Sequence, residues 1–382
     1  MRILYVTNAI LANPDAPASR ANGLSSALVR RDIEVDLVGI APALSQERPG
    51  LRITALERKN IPRLGTLSWH IQLFETLCTR LSRPYDAVLM REIPYTLEPA
   101  TFARLKGIPL ILEVNGAAPE AKPGIDRWAR TLYLQNYKWA SQIIVLTEAL
   151  KEYMRKNFPI TADRLKVIPN AADESRFFPR DKVASRKNLG IPQDSFCLLY
   201  MGSYHTQQGV DCVLPLCKTL RERIPNLLFL MTGAGPAKEK LEAEIEKSGL
   251  EKHFHFTGSL PPDKLGEVIG STDIAFSPVR SEDAWRTELT FPQKIVEYIA
   301  CGVPVLAMGY SRVQKEMLAE TGSGALIDPG EGFIDRLANT VVQWHGNPQQ
   351  RKDMGKKAAE LSRTRYNYDS VAKEFDELFR SL

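Results

Sequence analysis

Thr290-Phe-Pro-Gln-Lys-Ile-Val-Glu-Tyr-Ile-Ala-Cys-Gly-Val-Pro-Val-Leu-Ala307 predicts a helix, a tight turn and a buried strand in succession. Thr290 has the side chain of a helix cap, and Pro292 suits the first turn of the helix. Gly302 suits the left-handed residue that follows a helix, and the apolar run 303–307 is typical of a parallel strand. A helix that leads through a glycine into a strand is the repeating unit of an α/β protein.

Lys294 and Glu297 lie three residues apart on this predicted helix, so they share a face that is separate from the apolar stripe. A lysine near the free N–H groups of a helix N-terminus suits a phosphate. A carboxylate one turn later suits two neighbouring hydroxyls, such as those of a ribose. The alternative is an ordinary surface ion pair between the two side chains, and the spacing alone leaves both interpretations open.

The length and composition indicate a two-domain globular protein. The chain has 382 residues, with an apolar fraction of 44% and a charged fraction of 25%. No apolar run approaches the ~18 residues of a membrane-spanning helix, so we expect a cytoplasmic protein. The five cysteines are scattered, and we interpret them as reduced core residues. His253 and His255 alternate along a predicted strand, which favours a structural role over a metal site.

The positive charge is concentrated in the first half of the chain. Residues 1–180 contain 25 Lys and Arg against 18 Asp and Glu, a net charge of +7, whereas the whole chain carries +5. A basic first half could face anionic lipid at the inner side of a membrane or an anionic acceptor. Nucleic acid is not expected as a partner, because the basic residues are spread out and are not interleaved with aromatic residues.

Apolar runs of strand length alternate with helical periodicity along the chain. In the first half, strands are predicted at 2–6, 35–40, 87–90, 109–114 and 142–146, and helices at 20–31, 97–106, 126–140 and 148–157. After a polar stretch at 180–188, interpreted as a linker, strands are predicted at 197–201, 227–231, 253–256, 274–277 and 304–307, and helices at 209–223, 237–247, 262–271, 291–300 and within 348–382. This alternation predicts two doubly wound, mostly parallel sheets.

Several stretches together resemble the retaining family 4 of nucleotide-sugar glycosyltransferases, the glycosyl transferases group 1. The matching stretches follow the family order over nearly the whole chain: Leu112-Glu-Val-Asn-Gly116, Ile168-Pro-Asn-Ala-Ala-Asp-Glu-Ser-Arg-Phe-Phe-Pro179, Tyr200-Met-Gly-Ser203, Thr232-Gly-Ala-Gly-Pro236, Phe256-Thr-Gly258 and Pro292-Gln-Lys-Ile-Val-Glu-Tyr-Ile-Ala-Cys-Gly-Val-Pro304. Each motif alone is weak, because a glycine after a strand occurs in every α/β fold, but together in register they are specific.

The resemblance implies the GT-B fold, in which two doubly wound Rossmann-like domains face a central cleft. The expected domains are an acceptor-binding domain at 1–180 and a nucleotide-sugar-binding domain at 181–365, with a C-terminal helix at 366–382 that packs back on the first domain. The donor is expected to be a UDP- or GDP-linked sugar, the acceptor a glycan, a lipid-linked molecule or a small molecule, and no metal or other cofactor is expected.

The resemblance also assigns residues to the donor. Glu297 would bind the ribose hydroxyls, and Lys294 would face the phosphates and the sugar together with Thr290, Phe291 and Pro292. Further donor contacts are expected from Gly202, Ser203, Gln208 and Gly233, and from the backbone of Phe256, Thr257 and Gly258 against the base. Asn170 and Asp173 would organise the joint between the domains.

This chain departs from the family pattern at several positions. The first of the usual two glutamates is replaced by Leu289, and Glu288, one place away, is the expected substitute. The loop after Gly202 has Ser203 and Gln208 where the family has an arginine and a lysine for the diphosphate. Arg280, Arg286 or Lys294 is expected to compensate for this loss of positive charge. Asn115 replaces a first-domain histidine and is expected to orient the sugar by hydrogen bonding.

The family mechanism is front-face attack without a protein nucleophile, so catalysis would consist of positioning and electrostatics. Arg20, beside Asn22 and Gly23, is the residue most expected to contact the donor phosphate or the acceptor from the first domain, with a surface arginine as the alternative. Glu113 and Glu120 are further candidates for acceptor contact.

Two other functions remain open. The missing cations and the missing glutamate are compatible with a GT-B protein that binds a nucleotide-sugar without transferring it. A nucleotide-sugar epimerase or a phosphorylase is the other alternative, because these enzymes share the fold. A dinucleotide dehydrogenase is disfavoured, because the turns after Val6 and Met201 lack the Gly-x-Gly-x-x-Gly pattern.

A predicted helix at 64–81 carries a separate hypothesis. Its apolar residues repeat at helical spacing, and Trp69 falls off this stripe on the side of Arg80 and Arg83. An aromatic ring and two cations could meet anionic lipid there. The alternative is a helix packed on the core with one exposed tryptophan.

Overall fold

The computed structural model describes residues 1–13, 15–43, 47–58, 65–116, 125–279, 288–309 and 311–382. The chain forms two compact units. The first consists of Met1–Asn170, Leu289–Phe291 and Tyr368–Leu382, and the second of Ala171–Glu288 and Pro292–Asn367.

The first unit is built on a seven-stranded parallel sheet. Its strands are β1 (Arg2–Ile10), β2 (Glu34–Ile40), β3 (Leu51–Leu56), β4 (Ala87–Arg91), β5 (Leu110–Val114), β6 (Gln142–Val145) and β7 (Leu165–Val167), in the order β3-β2-β1-β4-β5-β6-β7. Its helices in chain order are α1 (Ala16–Val29), α2 (Gly65–Thr79), α3 (Glu98–Lys106), α4 (Ile125–Trp139) and α5 (Glu148–Asn157). Strands covered on both faces need continuous apolar runs, and Ile3 to Val6 of β1 are fully buried. The strand order reverses between β1 and β4.

The second unit repeats this architecture with a six-stranded parallel sheet. Its strands are β8 (Phe196–Met201), β9 (Leu227–Thr232), β10 (Phe254–Gly258), β11 (Ile274–Ser277), β12 (Val305–Met308) and β13 (Gly324–Ile327), in the order β10-β9-β8-β11-β12-β13. Its helices are α6 (Lys182–Leu189), α7 (Val213–Leu220), α8 (Lys238–Lys247), α9 (Pro262–Gly270), α10 (Gln293–Ala300), α11 (Phe333–His345) and α12 (Pro348–Arg365). The two parallel sheets with alternating helices confirm the predicted α/β fold class.

The predicted linker at 180–188 is wrong, because α6 occupies most of it. The Asp181 side chain accepts a hydrogen bond from the backbone N–H of Ala184 at 2.7 Å, which caps the helix. Gly190 ends the helix with a φ of +67°. Strands β3, β7 and β13 and helix α11 were not predicted.

A last helix, α13 (Tyr368–Ser381), belongs to the first unit and packs on α1. The ring of Tyr368 lies so close to Gly23 that a Cβ atom there would come within 2.1 Å of it. Because Gly23 has no side chain, α1 and α13 can pack closely at this position. Arg30 and Asp369 add an ion pair of 2.6 Å between the two helices.

The lipid hypothesis for Trp69 on α2 is wrong, and its alternative is right about a helix packed on the core but wrong about an exposed tryptophan. Trp69 is 3% exposed and faces the core. Arg80 is buried as well, and its guanidinium donates to Thr54 at 2.6 Å and pairs with Asp36 at 3.2 Å. The side of α2 that carries Trp69 is thus its inner face. Among the described helices, none is long and apolar enough to cross a membrane.

Four of the five cysteines and His253 are buried, and the prediction of a core position is wrong for Cys78. Of the five cysteines, which are all free, only Cys78 is exposed. His253 is buried, and its Nδ1 lies 2.9 Å from the carbonyl oxygen of Leu227. Within the described ranges, no group of His, Cys, Asp and Glu side chains is arranged to hold a metal ion.

Candidate functional site

The candidate site of the second unit lies at the carboxyl ends of its parallel strands. The strand order of this sheet reverses between β8 and β11. In open α/β sheets, ligands bind outside the carboxyl ends of the strands at such a reversal. The residues after β8 and the start of α10 meet at this position.

Glycines close the loops at the ends of β8 and β9. Gly202 and Gly233 have backbone φ angles of +148° and +129°, which residues other than glycine rarely adopt. A Cβ atom on Gly233 would lie 2.0 Å from the carbonyl oxygen of Gly202. Gly233 also donates its N–H to the carbonyl of Gly258 at 2.9 Å, which links the ends of β9 and β10. Three of the predicted donor-binding glycines therefore lie side by side along one edge of the sheet.

Lys294 extends from the first turn of α10 towards this edge. Its Nζ donates to Oε1 of Gln208 at 2.9 Å and lies 5.9 Å from the centre of the Tyr200 ring. A Cβ atom on Gly202 would come within 3.0 Å of the same Nζ, so the glycine gives the ammonium room. An ammonium has three donors, so it can bind phosphate oxygens in addition to Gln208. Burial lowers the pKa of Lys294 from 10.5 to about 8.

Glu297 lies one turn further along α10 and is only 7% exposed. Its Oε1 accepts from Nε2 of Gln293 at 3.3 Å, and Gln293 also donates to the carbonyl of Ala171 at 3.0 Å. Burial raises the pKa of Glu297 to about 7. The surface ion pair that the sequence left open is not what forms, because Glu297 is buried and Lys294 turns to Gln208. A buried carboxyl group beside a half-buried ammonium is typical of a functional site.

The start of α10 differs from the prediction. Pro292 is the N-cap residue, and no side chain caps the helix, so Thr290 is not the cap. Pro292 has a ψ of 84°, which is not helical, so the helix begins at Gln293. Thr290 is therefore too far upstream to cap the helix. Thr290 and Phe291 are part of the first unit, whereas Pro292 is part of the second.

Glu288, the expected substitute for the first glutamate of the family, contacts Arg312. Its carboxylate accepts the backbone N–H of Arg312 at 3.0 Å and lies 3.8 Å from the Arg312 guanidinium. The contacts of Glu288 thus tie it to the turn at Arg312 rather than to Lys294. Arg280, Arg286 and Glu120 lie outside the described residues.

The remaining residues that were predicted to bind the donor follow the same sheet edge. Ser203 is exposed in the loop after β8, and its carbonyl accepts from the Tyr200 hydroxyl at 3.0 Å. The ring of Phe256 stacks on that of Phe254, with 6.1 Å between the ring centres. Thr257 is partly buried beside Thr232, with 3.1 Å between the two hydroxyl oxygens.

Arg20 does not face a substrate site. It is fully buried, its Nε lies 3.2 Å from Oε2 of Glu113, and it donates to the carbonyl of Pro169 at 2.8 Å. Its guanidinium also lies 5.5 Å from the centre of the Phe375 ring on α13. Both predictions for Arg20, a substrate contact and a surface arginine, are therefore wrong. Helix α1 starts at Ala16, so Arg20 is not at its N-terminus. Glu113 is fully buried and likewise has no surface to offer an acceptor.

A second polar group lies at the carboxyl edge of the first sheet, where β1 and β4 end. Asn8 is exposed on β1, and Glu92 follows β4 directly. The Tyr137 hydroxyl donates to Oε1 of Glu92 at 2.5 Å, and burial raises the pKa of Glu92 to about 7. Oδ1 of Asn115, just after β5, is buried and accepts no hydrogen bond from the part of the chain described. Glu92 was missed, although a polar residue directly after a predicted strand was the available signal.

Asn170 and Asp173 lie on either side of the division between the units, which falls after Asn170. Asp173 pairs with Arg176 at 3.1 Å and accepts from the Ser175 hydroxyl at 2.6 Å. Their role at a joint between domains stays a prediction.

Two family models match the chain. The model described as "Glycosyl transferases group 1" matches residues 181–361, and the model described as "Glycosyl transferase 4-like domain" matches residues 16–171. Together they span most of both units.

Named relatives and solved structures are similar to the chain as well. It is 26% identical over 335 residues to the 2-deoxystreptamine glucosyltransferase of Streptomyces kanamyceticus, covering 84% of this chain and 82% of that protein. It is 24% identical over 238 residues to the GDP-mannose-dependent alpha-(1-6)-phosphatidylinositol monomannoside mannosyltransferase of Mycobacterium tuberculosis, covering 60% of each. The structure of Anabaena HepE in complex with UDP superposes with a TM-score of 0.76 at 19% identity over the full length of both chains, which shows the shared fold.

Proposed function

Because this chain belongs to the group 1 glycosyltransferases of the GT-B fold, we propose that it moves a hexose from a UDP- or GDP-linked donor to an acceptor hydroxyl with retention of configuration. The observation that carries this proposal is the placement of Lys294 and Glu297, one turn apart on α10, at the reversal of the second sheet. The ammonium would bind the diphosphate, and the carboxylate would accept from the two ribose hydroxyls.

The donor assignment is supported by the shape and charge of the site. The glycine edge at Gly202 and Gly233 leaves the backbone open to a ligand, as a diphosphate requires. Lys294 stands in for the cations that Ser203 and Gln208 do not supply. The HepE structure was solved with UDP, and the mannosyltransferase relative is named for GDP-mannose. The base is therefore proposed as uracil or guanine.

The proposed reaction needs no protein nucleophile. The acceptor oxygen forms a bond to the anomeric carbon while the bond from that carbon to the diphosphate oxygen breaks. The acceptor proton passes to the departing phosphate, and Lys294 stabilises the charge that develops on it. Retention is supported by the relative named for an alpha linkage, since GDP-mannose carries its sugar in the alpha configuration. We propose that Lys294 supplies this charge without a metal ion.

The acceptor is proposed to bind the first unit at the edge formed by Asn8, Glu92 and Asn115. Its class is proposed from the relatives, whose names include an aminocyclitol and a phosphatidylinositol mannoside as acceptors. A carboxyl group held by Tyr137 and an amide oxygen without a partner suit a polyhydroxyl acceptor, because both can accept hydrogen bonds from hydroxyl groups.

One observation favours a second candidate function. Lys294 donates a hydrogen bond to Gln208, and Gln208 itself is uncharged, although the family has a cation at its position. A site with a single strong cation could bind a nucleotide-sugar without turning it over. An epimerase would differ from both, since it would change the sugar without an acceptor.

Product analysis tests the proposal. The protein is incubated with UDP-glucose, UDP-N-acetylglucosamine or GDP-mannose in the presence of EDTA. The acceptor is 2-deoxystreptamine or phosphatidylinositol monomannoside in micelles. We expect acceptor-dependent nucleotide release, and the one-bond carbon–hydrogen coupling of the new anomeric centre should be that of an alpha glycoside. Nucleotide binding without product supports the binding protein, an epimerised sugar nucleotide supports the epimerase, and a beta product contradicts retention.

A further inference from the structure

Helix α2 exposes a second apolar face to solvent. We call this face the α2 stripe and define it as Leu67, Ile71, Phe74 and Leu81, with Leu81 in the turn after the helix. Their exposed fractions are 53%, 51%, 59% and 42%. The residues are spaced by four, three and seven positions, which places them on one side of the helix. Packing in the core does not explain this stripe, because the opposite face already buries Trp69 and two leucines.

The stripe is a concentration of apolar surface rather than scattered exposure. Ten large hydrophobic residues are exposed in the part of the chain that the structure describes, and four of them form the α2 stripe. Single exposed hydrophobic side chains are normal, but a contiguous row on one helix indicates a contact surface. Leu105, at the end of the neighbouring helix α3, is 73% exposed.

Basic groups surround the C-terminal end of the stripe. The Lys106 ammonium donates to the carbonyl oxygens of Leu81 and Arg83 at 2.8 Å each. Arg83 is 38% exposed and only partly neutralised by a 3.3 Å contact with Asp36. One acidic side chain, Glu75, flanks the stripe on its other side. The α2 stripe is therefore an apolar row bordered by cations, and it lies in the half of the chain that has a net charge of +7. Such a surface complements an anionic lipid surface.

We propose that the α2 stripe docks the first unit on the surface of an anionic lipid bilayer. Leu67, Ile71 and Phe74 enter the boundary between headgroups and acyl chains, while Arg83 and Lys106 contact the headgroup phosphates. The inference deepens and rests on the proposed function, since a lipid-linked acceptor is reached at such a surface. A second copy of the chain fits less well. Four half-exposed side chains of about 200 Å² each offer roughly 400 Å², against about 800 Å² per partner in a stable interface.

The chain provides its own probe of this contact. Cys78 is exposed and lies on the same side of α2, whereas the other four cysteines are buried. An environment-sensitive fluorophore on Cys78 is titrated with vesicles of phosphatidylcholine, with and without phosphatidylglycerol. We expect a blue shift and brighter emission with the anionic vesicles, quenching by brominated acyl chains and weakening by salt. Flotation of unlabelled protein shows that the label is not the cause.

Single substitutions locate the surface. Ile71→Asp and Phe74→Asp should each weaken partitioning by about ten- to a hundredfold, because each removes one large inserted side chain. The matched control is Val183→Asp on α6, a helical position that is 64% exposed, and it should leave partitioning unchanged. The proposal is overturned if the emission does not respond to anionic vesicles or if Ile71→Asp and Phe74→Asp bind them like wild type. A dimer in light scattering that Ile71→Asp dissociates would show instead that a second copy covers the stripe.

Measuring nucleotide binding in the same variants distinguishes failure of the lipid proposal from failure of the proposed function. Ile71→Asp should retain the thermal shift given by the nucleoside diphosphate, whereas Lys294→Met should lose that shift and still bind vesicles. Vesicle binding without any nucleotide shift in wild type would refute the donor site and leave the lipid surface standing.

Discussion

Replacing Lys294 by methionine should weaken donor binding and stabilise the fold at the same time. Methionine keeps the apolar stem and removes the ammonium, so the donor loses a charge-assisted hydrogen bond of about 1.5–3 kcal/mol. At 1.4 kcal/mol for each factor of ten, affinity for UDP-glucose or GDP-mannose should fall by about 10- to 150-fold.

The gain in stability follows from the pKa of Lys294. Burial lowers it from 10.5 to about 8, so at pH 7 the folded protein bears a cost of about 3 kcal/mol for holding the charged form. This cost disappears as pH rises from about 8 to 10.5, because the unfolded chain then loses its proton as well. Loss of the hydrogen bond to Gln208 offsets about 1 kcal/mol. The net stabilisation of Lys294→Met should be about 1–2 kcal/mol, a rise in melting temperature of a few degrees.

Calorimetric titration and thermal unfolding at pH 7 measure the two effects. The control is Lys240→Met, since Lys240 is 82% exposed on α8 and should change neither affinity nor stability. Unchanged donor affinity in Lys294→Met would refute the placement of the diphosphate. A lower melting temperature would refute the argument that the partly desolvated ammonium is held at a cost.

Three further predictions concern Glu297, Gly233 and the buried ion pair. Because the pKa of Glu297 is about 7, affinity for UDP-glucose should fall as pH drops below 7, and titrations of Glu297→Gln should lack this dependence. The same carboxyl stabilises the fold fully below pH 4.5 and loses that contribution as pH rises through 7, which acid-range unfolding curves can measure. Gly233→Ala should abolish donor binding or folding, because its Cβ would lie 2.0 Å from the Gly202 carbonyl, whereas Gly249→Ala, with open space around it, should cost about 1 kcal/mol in denaturant unfolding. Arg20→Met should cost about 3–5 kcal/mol by leaving Glu113 buried and unpaired, and denaturant unfolding of a double variant with Glu113→Leu should recover most of that loss.

The sequence was sufficient for features that depend on neighbours along the chain. Gly302 has the predicted left-handed conformation, with a φ of +70°, and the strand that follows forms at Val305–Met308. The alternation of apolar runs and helices predicted both parallel sheets. The missed strand β3 has three half-buried residues, so its apolar signal is weak.

Features that depend on distant partners were not predictable in this way. The carboxylate that holds Arg20 is 93 residues away, and no local pattern connects the two. Helix α2 is apolar on two faces, so periodicity could not determine which face is buried. The Asp36 and Thr54 contacts of Arg80 settle that question, and they come from β2 and β3.

The most direct test is the thermal shift of wild type and of Glu297→Ala with UDP, GDP and ADP in the presence of EDTA. We predict that UDP or GDP stabilises wild type and that Glu297→Ala loses the stabilisation, which would place the donor on α10. If neither UDP nor GDP shifts wild type, even after magnesium is added, the donor site at Lys294 and Glu297 is contradicted.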